Sequence, residues 1–126
     1  MKLNPTVQDF LDYRVNNPCT EQHHLHQIGS CSLLYTDGVK LLAESTQCYW
    51  LLTAILSYQP KLKGEDFQSW KLVYNSIEDW WDLSCTDGNG GDPLVTQRLL
   101  YSSFPKDLAP LTLWVEGGVV LLPEEH

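Results

Sequence analysis

Residues 36–60, TDGVKLLAESTQCYWLLTAILSYQP, constrain this chain more than any other stretch, because they call for one buried helix of about six turns. Leu41, Ser45, Cys48, Leu52 and Ile55 recur three or four positions apart, with Leu42, Tyr49 and Leu56 beside them. Lys40, Glu44 and Gln47 give the first half a polar side, which continues in the second half as Leu51, Ala54 and Tyr58. The expected helix is therefore amphipathic where it starts and apolar nearly all round where it ends, as a core helix is. Thr36 or Asp37 supplies its N-cap. Pro60 stops it, because the residue before a proline avoids helical angles.

The other elements are shorter. Residues 5–13 read as an N-terminal helix, with Val7, Phe10 and Leu11 on one face and Pro5 suited to a first turn. Asn16, Asn17 and Pro18 break it. Residues 21–35 have no clear period; a short element over 23–28, a turn at Gly29 and Ser30, and the apolar run Leu33, Leu34, Tyr35 lead into the long helix. After Pro60 the period falls to two. Residues 67–74 place Trp70, Leu72 and Tyr74 on one face, and 94–101 do the same for Val95, Gln97, Leu99 and Tyr101. Residues 77–85 fit a strand better than a helical turn, and 86–93, TDGNGGDP, form a turn. Residues 111–116 and 119–122 flank Gly117 and Gly118 as a last hairpin. Helices followed by strands predict an α+β fold in a single domain, 1–126. Its sheet is expected to be an antiparallel meander, with one long helix packed across a face and a short N-terminal helix.

Charge narrows the partners. Sixteen acidic residues against eight basic ones give a formal charge of −8. That balance disfavours direct binding to nucleic acid or to an anionic membrane, both of which reward Lys and Arg. It suits a basic protein partner or a metal, and solubility alone would explain it too. Cys19, Cys31, Cys48 and Cys85 include no C-x-x-C pair, and Cys48 sits among apolar neighbours as a free buried thiol does. The first ten residues lack a secretory apolar run, and no stretch approaches the roughly 20 apolar residues of a membrane span. A reduced, cytoplasmic protein is expected.

Several phrases resemble an uncharacterised bacterial domain family. They are Tyr35-Thr36-Asp37-Gly38-Val39, Tyr49-Trp50-Leu51-Leu52, Ser57-Tyr58-Gln59 and Phe67-Gln68-x-Trp70-Lys71-Leu72. Thr86-Asp87-Gly88-Asn89-Gly90, Tyr101-x-x-Phe104-Pro105 and Leu121-Leu122-Pro123-x-Glu125 belong with them. The likeness runs from about residue 20 to the end. It implies a compact single domain of cyanobacteria, other bacteria, plasmids and phages, and it carries no activity or catalytic residue. The doubled Trp80-Trp81 and the His23-His24-x-His26 run are richer in Trp and His than that pattern.

Candidate sites follow from what is present and absent. No G-x-S-x-G elbow, P-loop, dinucleotide fingerprint or H-E-x-x-H motif occurs. His23, His24 and His26, with Cys19 and Cys31, offer imidazole and thiolate to zinc, although their spacing matches neither usual ligand pair. Asp87, Asn89 and Asp92 are explained by turn chemistry without calcium. No cofactor is expected. From Leu72 to Gln97 there are five acids, Glu78, Asp79, Asp82, Asp87 and Asp92, and no Lys or Arg. If 77–85 is a strand, Trp80 and Trp81 point to opposite faces, and one of them can leave the core unless another element covers both. These seven residues, Glu78, Asp79, Trp80, Trp81, Asp82, Asp87 and Asp92, are the candidate partner-binding set, since a Trp ringed by carboxylates suits a basic partner. The expected function is a non-catalytic binding module of the accessory genome, an inhibitor of a nucleic-acid-binding defence protein of the anti-CRISPR or anti-restriction type. The alternatives are a small metal-dependent enzyme using His23, His24 and His26, and a homodimer or larger structural oligomer joined through the C-terminal hairpin edge.

Overall fold

In the computed structural model, which describes residues 5–16 and 22–126, strands form both from the period-two stretches and from residues 23–36, where the sequence shows no clear period. They are β1 (His23–Ile28), β2 (Cys31–Thr36), β3 (Phe67–Asn75), β4 (Trp80–Thr86), β5 (Val95–Leu99), β6 (Leu111–Glu116) and β7 (Val119–Leu121). The helices are α1 (Val7–Val15), α2 (Asp37–Thr46) and α3 (Tyr49–Tyr58). Asn17, Pro18 and Cys19 lie outside the described residues.

The single long helix is two helices. Gln47 adopts a left-handed φ of 58°, and the Cys48 N–H returns to the Ala43 carbonyl at 3.0 Å, closing α2 with a Schellman-type turn. Two side chains prepare that stop. The Ser45 and Thr46 hydroxyls donate to the Leu42 carbonyl at 3.2 and 2.8 Å, competing with the main-chain ladder. Helix α3 then restarts without a side-chain cap, and its Leu51, Leu52, Ile55 and Leu56 are buried, as its apolar sequence requires.

The sheet is mixed, and the expected antiparallel meander is corrected by its order, β1-β2-β7-β6-β3-β4-β5. Strand β2 runs parallel to β7, with Leu34 opposite Val119 and Tyr35 opposite Val120. A β1–β2 hairpin forms ahead of the helices, and α2 and α3 carry the chain away before the C-terminal hairpin fills the gap beside β2. That hairpin, β6–β7, therefore lies inside the sheet between β2 and β3, and it has no free edge through which copies could join.

One face of the sheet carries the core. Trp70, Leu72, Trp81, Leu83, Leu113, Val115 and Val120 pack with Val39, Leu42, Leu52 and Ile55 of α2 and α3. The buried Gln68 is satisfied there: its amide and that of Gln59 exchange hydrogen bonds at 2.9 Å, and Trp70 Nε1 donates to Gln68 Oε1 at 2.9 Å.

The N-terminus of α2 is held by Glu125. Its carboxylate accepts from the Thr36 hydroxyl at 2.6 Å, the Tyr13 hydroxyl at 2.9 Å, the Leu122 N–H at 3.0 Å and the Gly38 N–H at 3.3 Å. A side chain at position 38 would place its Cβ 2.8 Å from Glu125 Oε1, so glycine is what lets the carboxylate approach. Arg14 pairs with Glu124 alongside.

Two substitutions test this account of the helices. Leu52→Ala should cost roughly 2–5 kcal/mol in urea denaturation, as a large-to-small change in a packed core. Gln47→Gly should instead add up to about 1 kcal/mol and raise the melting temperature, because only glycine enters the left-handed region without steric cost. A drop in stability at Gln47→Gly would mean that the turn is held by something other than backbone geometry.

Candidate functional site

Strand alternation separates the two tryptophans. Trp81 is buried in the core, 5.0 Å from the Tyr74 ring and 5.8 Å from Phe104, and so has no surface to offer a partner. Trp80 lies on the opposite face, partly covered by Arg98, whose guanidinium carbon stands 3.7 Å from the ring centroid. Arg98 Nε also reaches Asp82 Oδ1 at 3.4 Å across the β4–β5 ladder. The indole N–H of Trp80 is buried and finds no acceptor among the described residues. Arg98 was missed in sequence because it falls one position beyond the 72–97 stretch free of Lys and Arg. Pairing the two strands around the glycine loop would have placed it opposite Asp82.

The turn joining β3 to β4 is tightly specified. The Asn75 side-chain oxygen accepts from the N–H groups of Ile77 and Glu78 at 3.0 and 3.1 Å. Asp79 takes a left-handed φ of 57°, and its carboxylate accepts from the Tyr74 hydroxyl at 2.6 Å. This geometry sends the Ile77 side chain into solvent, 91% exposed. Strand β5 ends at the same end of the sheet, since Leu99 pairs with Trp81. The next two residues, Leu100 and Tyr101, are 78% and 85% exposed. Trp50, Leu99, Tyr101, Ser102 and Ser103 line a hollow beside them.

The seven candidate residues thus divide. Glu78, Asp79 and Trp80 lie at this end of the sheet, as do Ile77, Leu100 and Tyr101, while Asp82 sits two residues further along β4, opposite Arg98. Asp87 and Asp92 lie in the loop at the far end of β4, about 20 Å away by strand length. Asp87 serves that loop, accepting the Asn89 N–H at 2.9 Å. Sequence reasoning misses the exposed apolar trio because Ile77 reads as the start of the 77–85 strand and Leu100 and Tyr101 as the end of the 94–101 strand, whereas β4 starts at Trp80 and β5 ends at Leu99.

The histidine run also divides. His24 and His26 face the helices, where His24 Nε2 lies 2.8 Å from Asp37 Oδ1 and His26 Nε2 lies 3.0 Å from Thr53 Oγ1. Their rings pack against Tyr35 and Tyr49, with His24 to Tyr35 at 5.4 Å and His26 to Tyr49 at 6.4 Å. Burial, helped by Tyr35 and Glu44, pushes the Tyr49 phenol well above its usual range. His23 is exposed on the other face. Among the described residues, no three His, Cys, Asp or Glu side chains gather as a metal ion requires; Cys19 is outside them.

Two of the thiols are held in the protonated form by burial. Burial pushes Cys48 and Cys85 from 9.0 up to about 11, with Glu65 and Asp87 adding to the effect at Cys85. A raised thiol value means that the fold favours the protonated form. The resulting stability is fully present below 9.0 and is lost as pH rises through about 11. The melting temperature should therefore fall between these pH values, and it should fall less steeply in a Cys48→Ala/Cys85→Ala variant. Equal slopes for the two proteins would exclude these thiols as the cause.

No helix among the described residues is long and apolar enough to cross a membrane. A family model described as a family of unknown function (DUF6876) matches residues 15–126. Neither the curated proteins nor the solved structures supply a match.

Proposed function

Because the chain belongs to a family of unknown function, DUF6876, we propose its role from its surface: a non-catalytic module that binds a basic segment of another protein. The observation that carries this reading is the end of the sheet where Ile77, Leu100 and Tyr101 stand exposed, with Glu78 and Asp79 exposed in the turn that holds Ile77. Large apolar side chains grouped on a monomer surface and rimmed by polar ones are what interaction sites present. The hollow beside Tyr101 gives a partner's side chain somewhere to enter. The formal charge of −8 speeds encounter with a basic surface, chiefly through the association rate.

The same charge supports a narrower proposal, an inhibitor of a host defence protein from the accessory genome. Spaced carboxylates can occupy a groove that otherwise takes phosphates, so the partner is a protein that itself binds nucleic acid.

Affinity capture from bacterial lysate, followed by titration of the purified partner, tests this. Combining Leu100→Ser with Tyr101→Ala should weaken binding by about 2 kcal/mol or more, as loss of an anchor does. The melting temperature should barely move, since exposed changes shift stability by at most about 0.5 kcal/mol. Glu78→Lys should slow association and flatten its salt dependence. Capture of the same proteins at the same strength by all three forms would place the binding face elsewhere.

A further inference from the structure

The two edges of the sheet are β1 and β5. They differ in how they are guarded. Strand β5 carries Arg98, a charge of the kind that discourages a second strand from adding. Strand β1, HHLHQI, has no Lys, no proline and no acidic residue. Among the described residues, no backbone hydrogen bond of β1 runs to anything other than β2.

The pairing register shows which groups are unmet. Ile28 and Cys31 close the two-residue turn at Gly29 and Ser30, so Ile28, His26 and His24 exchange hydrogen bonds with β2. His23, Leu25 and Gln27 consequently aim their N–H and C=O groups outward. Leu25 is 58% exposed and sits directly opposite Leu34, which is 40% exposed; Ile28 is exposed at the hairpin end.

Charge selects the occupant. Residues 22–36, the whole β1–β2 hairpin, contain no Asp, Glu, Lys or Arg, in a chain whose formal charge is −8. A basic partner gains nothing from this strip. A second copy of the chain can meet it there without bringing like charges together.

We infer that β1 is a dimerisation edge, at which two copies pair antiparallel about a twofold axis through Leu25. In that register Leu25 faces Leu25 of the second copy, and His23 faces its Gln27. All three outward-facing residues then hydrogen-bond, and the two sheets become one. A register shifted by one residue would oppose outward groups to inward ones and make none of these bonds. The inference stands apart from the corner at Ile77, Leu100 and Tyr101, which such a dimer leaves open at the other end of the sheet order.

Sedimentation of the full chain at micromolar concentration tests it, together with amide exchange. The wild type should sediment as a dimer that does not weaken as salt rises, unlike binding at the acidic corner. The amides of His23, Leu25 and Gln27 should exchange slowly. Leu25→Lys sets two ammonium groups opposite each other, and it should raise the dimer dissociation constant at least about tenfold. Leu25→Ser should give a smaller rise. Val73→Lys, at another exposed apolar position of the sheet, should leave the dimer intact. A monomeric wild type, free exchange at those three amides, or equal effects of Leu25→Lys and Val73→Lys would overturn the inference.

Discussion

One carboxylate organises the packing of the ends of this chain. Glu125 accepts hydrogen bonds from α1 through Tyr13, from the end of β2 through Thr36, from the first turn of α2 through Gly38, and from its own turn through Leu122. A negative charge at a helix N-terminus meets unpaired N–H groups and the positive end of the helix dipole. Here the same charge also ties two further elements to that point. The short phrase Thr36-Asp37-Gly38 thereby gains a division of labour. Thr36 caps α2 through Val39 and donates to Glu125, Asp37 holds His24, and Gly38 leaves room for the carboxylate.

That phrase and Pro123-x-Glu125 both stood out in the sequence, yet nothing in their spacing said that they touch. Local chemistry was legible and partnership was not. The hairpin around Gly117 and Gly118, the turn at Gly29 and Ser30, and the alternation in β3 could be read directly, because each depends on neighbours along the chain. The stop inside the long helix could not. It is made by Gln47 in a conformation usually given to glycine, and by two hydroxyls that also occur in unbroken helices. Parallel pairing of β2 with β7 was equally hidden, since a period of two says which side chains share a face and not which strand lies alongside.

The candidate site shows the same boundary. That Trp80 and Trp81 part company follows from alternation alone. That Arg98 lies over Trp80 requires the β4–β5 register, which crosses a loop of uncertain length in sequence terms. The arginine changes the character of that surface. Instead of a bare indole among carboxylates, the face presents a cation already spread over the ring and leaning on Asp82. The open apolar surface lies at the strand ends, where the turn and the exit of β5 push Ile77, Leu100 and Tyr101 outward.

The strand order bears on how the molecule can be assembled. Leu34 and Val119 are neighbours in the sheet although 85 positions (119 − 34) separate them in the chain. The β1–β2 hairpin and the β3–β4–β5 ribbon can each form early from nearby residues, but neither touches the other in the finished sheet. The β6–β7 hairpin is the wedge that joins them, and it is synthesised after both. A growing chain therefore holds two part-sheets with facing raw edges until the bridging hairpin slots between them. Closure across so long a loop is the slow kind of contact to make. Until then, those inner edges are the places where a nascent chain can pair wrongly with another.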